Sequence, residues 1–136
     1  MNVIICLDDS NGMMFNKRRQ SRDSKVIEDI SKMIGEEILY ISSYSEILFK
    51  SSPINYVITD NPLVTENCLS HCFIEDKIID ISNKDITQFT IYRWNRKYPG
   101  DLFFNSNLKE NGFQLVSITE FVGTSHECIG KEVWQR

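Results

Sequence analysis

Positive charge is concentrated in one short stretch of an acidic chain. Lys17, Arg18, Arg19 and Arg22 place four cations within six residues, whereas the whole chain has a net charge of -4. A guanidinium group binds phosphate or carboxylate through a planar fork of donors, and a helix beginning just after the run would add the positive end of its dipole. The pattern predicts an anion site. A solvated loop, neutralised by nearby carboxylates, is the alternative.

A polar turn precedes this run and follows an apolar segment. Asn11 and Gly12 are residue types that tolerate positive φ, so we expect the backbone to require Gly12. Met14 belongs to an apolar group over 13–15, which either packs on the core or lines a mobile loop over a cleft. Asn16 closes the loop. Ligands of open α/β sheets bind where strands end in loops, so this segment is a predicted pocket wall.

Two further segments carry candidate binding groups. Asp23 or Ser24 is the natural N-cap of the helix that follows the basic run, and Asp23 is also a candidate ligand-binding residue. Ser42, Ser43 and Ser45 lie between a predicted strand and a short helix. Their hydroxyl groups and the free amides of such a turn could bind a phosphate, or they could serve as helix caps.

The four cysteines do not have the spacing of a zinc site. Cys68 and Cys72, with His71 between them, form the nearest approach to a cluster. A structural zinc site normally takes four ligands in two close pairs, and only His126 and Cys128 remain to complete a set. We therefore expect buried or half-buried thiols and no metal.

Hydrophobic patterning places these residues on a mixed α/β fold. Apolar and β-branched runs predict strands over 2–7, 38–41, 56–59, 70–74, 87–94, 102–104, 113–118 and 129–134. Helical spacing predicts a helix from Asp23 to Gly35 and a shorter one near 46–49, while 77–81 fits strand or loop. Parallel-type strands with helices come first and hairpin-type strands last. The prediction is a single-domain mixed sheet with flanking helices.

Size and composition exclude several classes of protein. The chain has 136 residues, which suits one domain with a core of its own. Its net charge gives no general attraction to nucleic acid or to acidic membranes. No apolar run approaches the length of a membrane span, and the sequence opens directly on a strand. We expect a cytoplasmic protein without a membrane partner; the oligomeric state is left open.

Several segments, each weak alone, occur in a characteristic order and spacing. They are the first strand with Asp9-Ser10-Asn11-Gly12 and Asn16, the stretch 38–45, Tyr56-Val57-Ile58-Thr59-Asp60-Asn61-Pro62, Gly100-Asp101-Leu102-Phe103-Phe104, and the closing pair 113–117 and 132–136. Together they resemble dihydrofolate reductase along most of the chain. The resemblance implies a shortened version of that α/β fold, with NADPH as the cofactor of a pterin or folate reductase.

The departures from this family fall on its functional positions. Arg18-Arg19-Gln20 stands where folate-reducing members have a Pro-Trp pair, and Asp23 and Glu28 lie off the register of their buried acid. The stretch 42–45 replaces the Gly-Arg-Lys-Thr turn that receives the NADP phosphates. The Gly-Gly turn and helix of the nicotinamide side are missing between 81 and 87. We therefore expect no cofactor, with NADPH as the alternative.

A second resemblance rests on the Asp-Asp…Asn-Gly-Met…Phe-Asn-Lys-Arg-Arg-Gln-Ser-Arg-Asp stretch over 8–23. It is similar to a small group of uncharacterised clostridial-type bacterial proteins, which are sometimes labelled ribonuclease Z. A two-zinc nuclease of that kind needs a dense cluster of His and Asp ligands. This chain has only His71 and His126, so we do not expect that activity.

Three functions follow from these patterns. The leading prediction is a non-catalytic ligand-binding or regulatory module for an anionic small molecule, with a pocket between the 11–16 loop, the first helix and the serine turn. The second is an NADPH-dependent reductase with Asp23 or Glu28 as the acid. The third is a nucleic-acid or protein interaction through the basic loop and the aromatic residues Tyr92, Trp94 and Tyr98, which the acidic total disfavours for nucleic acid.

Overall fold

Ten strands and two helices make up the part of the chain that the computed structural model describes, residues 1–64 and 70–136. Two 3₁₀ turns lie at Ser43–Ser45 and Lys109–Asn111. In chain order the elements are β1 (Asn2–Leu7), β2 (Gly12–Phe15), β3 (Arg18–Arg19), α1 (Ser24–Ile34), β4 (Ile38–Ile41), α2 (Glu46–Phe49), β5 (Asn55–Ile58), β6 (His71–Phe73), β7 (Gln88–Arg93), β8 (Leu102–Phe103), β9 (Gln114–Phe121) and β10 (Ile129–Gln135).

Seven strands form one mixed sheet in the order β5-β4-β6-β1-β7-β10-β9. The first five of these are parallel to one another, and β10 runs antiparallel to both β7 and β9. The predicted mixed α/β sheet is confirmed. β2, β3 and β8 form a separate antiparallel sheet of three strands.

The two faces of β1 contribute to two different hydrophobic cores. Val3, Ile5 and Leu7 pack on one face, with Met13 and Met14 among their partners. Ile4 packs on the other face with the buried side of α1. A strand covered on both faces reads as a continuous apolar run, which is why 3–7 is apolar throughout. The methionines of the 13–15 group therefore belong to the core.

Helix α1 has the limits that its sequence predicts. The Asp23 carboxylate accepts a hydrogen bond from the Lys25 backbone N–H at 2.9 Å and so caps the helix. Val26, Ile30 and Ile34 are buried at intervals of four residues, which gives the helix one apolar side. The helix ends at Gly35, whose φ of 58° is a value that glycine adopts without steric cost.

Gly12 is required for a reason other than the one its sequence context predicts. The positive φ of this turn, 61°, lies at Asn11, and Gly12 has none. A Cβ at position 12 would lie 2.4 Å from Gln20 Nε2 and 2.9 Å from Asp8 Oδ1. The backbone N–H of Gly12 donates to that same Asp8 oxygen at 2.7 Å. The close approach to a buried carboxylate, and not the backbone dihedral, excludes a side chain here.

The basic run is part of a hairpin and not an open loop. Met14 and Phe15 of β2 pair with Arg19 and Arg18 of β3. The two residues between the strands, Asn16 and Lys17, have φ values of 51° and 62°, as a tight two-residue hairpin turn requires. The hairpin holds Arg19 at a defined place beside the main sheet.

The connection from β6 to β7, residues 74–87, contains neither a helix nor a glycine, and 77–81 forms no strand. The sequence predicts a connection over 63–67, between the strands predicted at 56–59 and 70–74, and this segment lies partly outside the described residues. Cys68 lies wholly outside them. None of the described helices has the length and apolar character needed to cross a membrane.

Candidate functional site

A cleft of about 630 Å³ lies beside α1, at the ends of the central strands. Its apolar lining comes from α1, α2 and the residues at the ends of β6 and β7, through Val26, Ile27, Ile47, Leu48, Phe73 and Trp94. Charged and hydroxyl side chains surround this lining. A mostly apolar cleft with a few polar groups is the usual form of a small-molecule site.

Arg19, one of the predicted anion-binding residues, is already paired. Its guanidinium group donates to both carboxylate oxygens of Glu75, at 2.9 and 3.1 Å, and stacks on the ring of Tyr44 at 4.6 Å. Burial lowers the pKa of Arg19, but the hydrogen bond and charge of Glu75 outweigh burial and raise it. Ser45 Oγ donates to the same carboxylate at 2.6 Å. The positive charge of Arg19 is thus neutralised within the protein.

The serine turn faces carboxylates and not open space. Ser42 Oγ lies 3.3 Å from the nearer carboxylate oxygen of Asp76, while Ser45 binds Glu75. Ser43 is exposed. The two carboxylates engage the hydroxyl groups that a phosphate would need, so the turn is a poor place for the anion that its sequence suggested.

The predicted site residues fall into separate groups. Arg19, Arg22 and Asp23 all line the cleft. Met14 lines a smaller depression of about 330 Å³ together with Lys17. The remaining predicted residues lie apart from the cleft lining: Asn11, whose side chain accepts from Arg93; Gly12, against Asp8; Asn16, whose N–H donates to Asp101; the exposed Arg18; and the serines Ser42 and Ser43.

Two cations on the cleft remain available to a ligand. Arg22 and Lys32 are exposed and line the cleft. Neither forms an ion pair within 1–64 and 70–136. Glu28, a carboxylate that also lines the cleft, pairs with Lys25 at 3.2 Å. The rim of the cleft is therefore suited to an anionic group.

Asp23 is held by an array of donors that sequence analysis did not foresee. Its oxygens accept N–H groups from Lys25, Thr124 and Ser125, each at 2.9 Å. His126 Nδ1 lies 2.9 Å from Asp23 Oδ2. Burial raises the pKa of Asp23, but these hydrogen bonds outweigh burial and hold it well below its usual range. Asp23 and His126 are 103 residues apart, so no local pattern could reveal the pair.

The other nitrogen of the buried His126 contacts Ser21, a residue that lines the cleft. His126 Nε2 is 2.9 Å from Ser21 Oγ and 3.3 Å from the hydroxyl of Tyr98. Trp94 stacks on the imidazole ring, with centroids 4.6 Å apart and planes 22° from parallel. The ring is therefore fixed in position and in plane.

The aromatic residues proposed for base stacking are not available for it. Tyr92 and Trp94 are buried, and the Tyr92 hydroxyl donates to Asp29 at 2.6 Å. Lys131 forms an ion pair with the same carboxylate at 2.7 Å. The expectation of exposed rings is therefore wrong for Tyr92 and Trp94. Asp29, on the surface of α1, binds both Tyr92 and Lys131. Tyr98 is half-buried.

The described thiols are spread through the fold. Cys6 and Cys72 have raised pKa values because they are buried, that of Cys72 reaching about 12. His71 Nε2 is 2.7 Å from Glu37. Within the described residues no three His, Cys, Asp or Glu side chains are arranged to hold a metal ion.

Comparison with known proteins supports the fold. The chain is similar to the solved structure of dihydrofolate reductase from Enterococcus faecalis complexed with NADP(H) and RAB-propyl, with a TM-score of 0.62 and 12% identity over 99% of this chain and 95% of that one. No protein-family model matches the chain, and no curated protein matches it. At this identity the likeness shows a dihydrofolate reductase-like fold alone. The likeness to the clostridial-type group stays a prediction.

Proposed function

We propose that this chain is a ligand-binding or regulatory module that uses a dihydrofolate reductase-like fold without hydride transfer. The cleft offers an apolar wall from α1 and α2 and two cations, Arg22 and Lys32, that form no ion pair with any residue the structure describes. This combination suits a small molecule with an apolar body and a carboxylate or phosphate group.

The arrangement around Glu75 carries the proposal. In the resemblance to the reductase family, the serine turn and the segment after β6 take the places of the parts that bind NADPH. Here Glu75 joins Arg19 and Ser45, and Asp76 lies against Ser42. These carboxylates occupy the guanidinium and hydroxyl donors that the phosphates of a dinucleotide would need. The connection 74–87 also lacks a glycine that would allow close approach of a cofactor.

A thermal-shift titration tests the proposal, because a ligand that binds the native state alone raises the apparent stability. We expect no shift with millimolar NADPH or NADP, and an increase in Tm with a folate analogue as the apolar, carboxylate-bearing probe. The double substitution Arg22→Gln with Lys32→Gln should abolish the increase. Arg18→Gln, an exposed arginine outside the cleft lining, is the matched control and should retain it. A clear shift with NADPH would overturn the proposal.

The reductase alternative is supported by the neighbouring structure, which was solved with NADP(H). Its acid would be Asp23 or Glu28, both of which line the cleft. Consumption of NADPH that requires a folate substrate and is lost in Glu28→Gln or Asp23→Asn would establish it. The alternative of a nucleic-acid or protein interaction keeps the basic hairpin, but Tyr92 and Trp94 are buried and cannot stack on bases. Nucleic-acid binding through the hairpin would show a steep salt dependence.

A further inference from the structure

A serine, a histidine and an aspartate are connected in series on the rim of the cleft. Ser21 Oγ contacts His126 Nε2, and His126 Nδ1 contacts Asp23 Oδ2, both at 2.9 Å. We propose that these three residues form a nucleophilic site that hydrolyses carboxylic esters bound in the cleft. Such a constellation is recognised by its geometry and by the role of each group, in any order along the chain and on any fold.

The carboxylate of Asp23 fixes the tautomer of His126. Three backbone N–H groups point at this carboxylate, and its side chain is fully buried. An ionised carboxylate only accepts hydrogen bonds, so His126 Nδ1 must carry a proton and donate it. In the neutral imidazole, Nε2 then has a free lone pair. Asp23 is thus a positioning residue, and His126 is the general base.

Ser21 is placed to donate to that lone pair. Its Oγ is nearer to Nε2 than the Tyr98 hydroxyl is, at 2.9 against 3.3 Å. A serine next to a base that is itself oriented by a third group is the signature of an activated nucleophile. Stacking on Trp94 keeps the imidazole plane in line with both partners.

The serine is accessible from the cleft. Ser21 is half-buried and lines it, together with Trp94 and the two residues that hold Asp23 from the opposite loop, Thr124 and Ser125. The neighbouring Arg22 is exposed to the same space. A positive group at this position favours the negative charge that develops on the carbonyl oxygen of an ester during attack.

The reaction consumes water as its co-reactant. Ser21 Oγ bonds to the ester carbonyl carbon as its proton passes to His126 Nε2. The bond from that carbon to the alcohol oxygen then breaks, and the alcohol leaves with the proton from Nε2. Water attacks the acyl-serine, gives a proton to Nε2, and the acid is released as the proton returns to Ser21 Oγ. The sum is ester plus water giving acid plus alcohol.

A fluorophosphonate probe tests the serine directly. Attack of Ser21 Oγ on phosphorus with loss of fluoride leaves a stable phosphonyl group, which peptide mass spectrometry locates. We expect a single adduct on Ser21. The labelling rate should fall by roughly 10²–10⁴-fold in His126→Gln, and labelling should disappear in Ser21→Ala. Ser51→Ala, an exposed serine that lines the same cleft without a histidine partner, should label as the natural sequence does.

Further measurements separate catalysis from folding. Circular dichroism and Tm should be close to natural for Ser21→Ala, whose hydroxyl is half-buried. With p-nitrophenyl acetate, Asp23→Asn should lower kcat more than it changes KM, because Asp23 acts through His126. Absence of an adduct, an adduct on another serine, or equal labelling of Ser21→Ala would overturn the proposal. The probe reports on Ser21 and the thermal shift on ligand binding, so either proposal can fail while the other stands.

Discussion

At the scale of single residues, Asp23 connects two distant parts of the chain. It caps α1 through Lys25 and holds the 124–126 loop through backbone N–H groups and His126. A buried carboxylate with this many donors is stable only in its charged form. Its hydrogen bonds therefore contribute to the free energy of unfolding only while it is ionised.

This dependence predicts how stability changes with pH. The folded pKa of Asp23 lies below the unfolded value of about 3.9, so its contribution is complete at neutral pH and is lost as the pH falls below about 4. At pH 7, Asp23→Asn should lower the free energy of unfolding by about 2–3 kcal/mol. Urea unfolding should show this difference shrinking towards pH 3. A constant difference between pH 7 and pH 3 would contradict it.

At the scale of elements, α1 was predictable and the β2–β3 hairpin was not. The helix has its N-cap Asp23, its apolar period and its terminal Gly35 within thirteen residues, all local signals. The hairpin turn is Asn16-Lys17, which lacks the glycine that usually marks such turns. The sequence did not indicate these strands, because two consecutive arginines are an unusual strand. Arg19 is held here by Glu75, which is distant in sequence.

The end of α1 and the end of the 3₁₀ turn Lys109–Asn111 give a matched pair of glycine substitutions. Gly35 and Gly112 both have positive φ, and an added Cβ would meet nothing within 4 Å at either. Gly112 is in the left-handed helical region, which asparagine tolerates, whereas Gly35 has φ 58° and ψ −123°. Gly35→Asn should therefore cost about 1–3 kcal/mol of unfolding free energy, and Gly112→Asn less than about 1. Equal losses in chemical denaturation would refute the backbone explanation.

The candidate site was partly predictable, because some of its residues, like those of α1, carry local sequence signals. Arg19, Arg22 and Asp23 were found from local composition, and all three line the cleft. Glu75 and Trp94 reach the cleft, and His126 reaches Ser21 on it, through tertiary packing alone. Nothing near them in sequence distinguishes them from core or surface residues. Sequence patterns did not predict that the serine turn faces Glu75 and Asp76, because those carboxylates come from the connection after β6, about thirty residues further along the chain.

At the scale of the whole molecule, the sheet has one long edge strand with exposed apolar residues. β9 pairs with β10 alone among the described strands. Leu115, Val116 and Ile118 on this strand are 40%, 56% and 61% exposed. A long apolar edge strand is a template for pairing with other chains.

A single charge on this edge should reduce association. Ile118→Lys should lower light scattering at high protein concentration, because a lysine on an edge strand opposes pairing. The free energy of unfolding should change by less than about 0.5 kcal/mol, since the side chain is exposed. Ile118→Val, which keeps the edge apolar, should scatter as the natural sequence does. Equal scattering by all three proteins would place association elsewhere.

The position of β1 in the sheet also determines when the protein can fold during its synthesis. β1 comes first in the chain, yet it lies between β6 and β7, which end at Phe73 and Arg93. At about 5–20 residues per second, the ribosome takes roughly 4–17 s to supply the missing neighbours. During that interval the apolar segment 3–7 has no sheet to join. We expect the nascent chain to be a target for chaperones that bind short apolar segments.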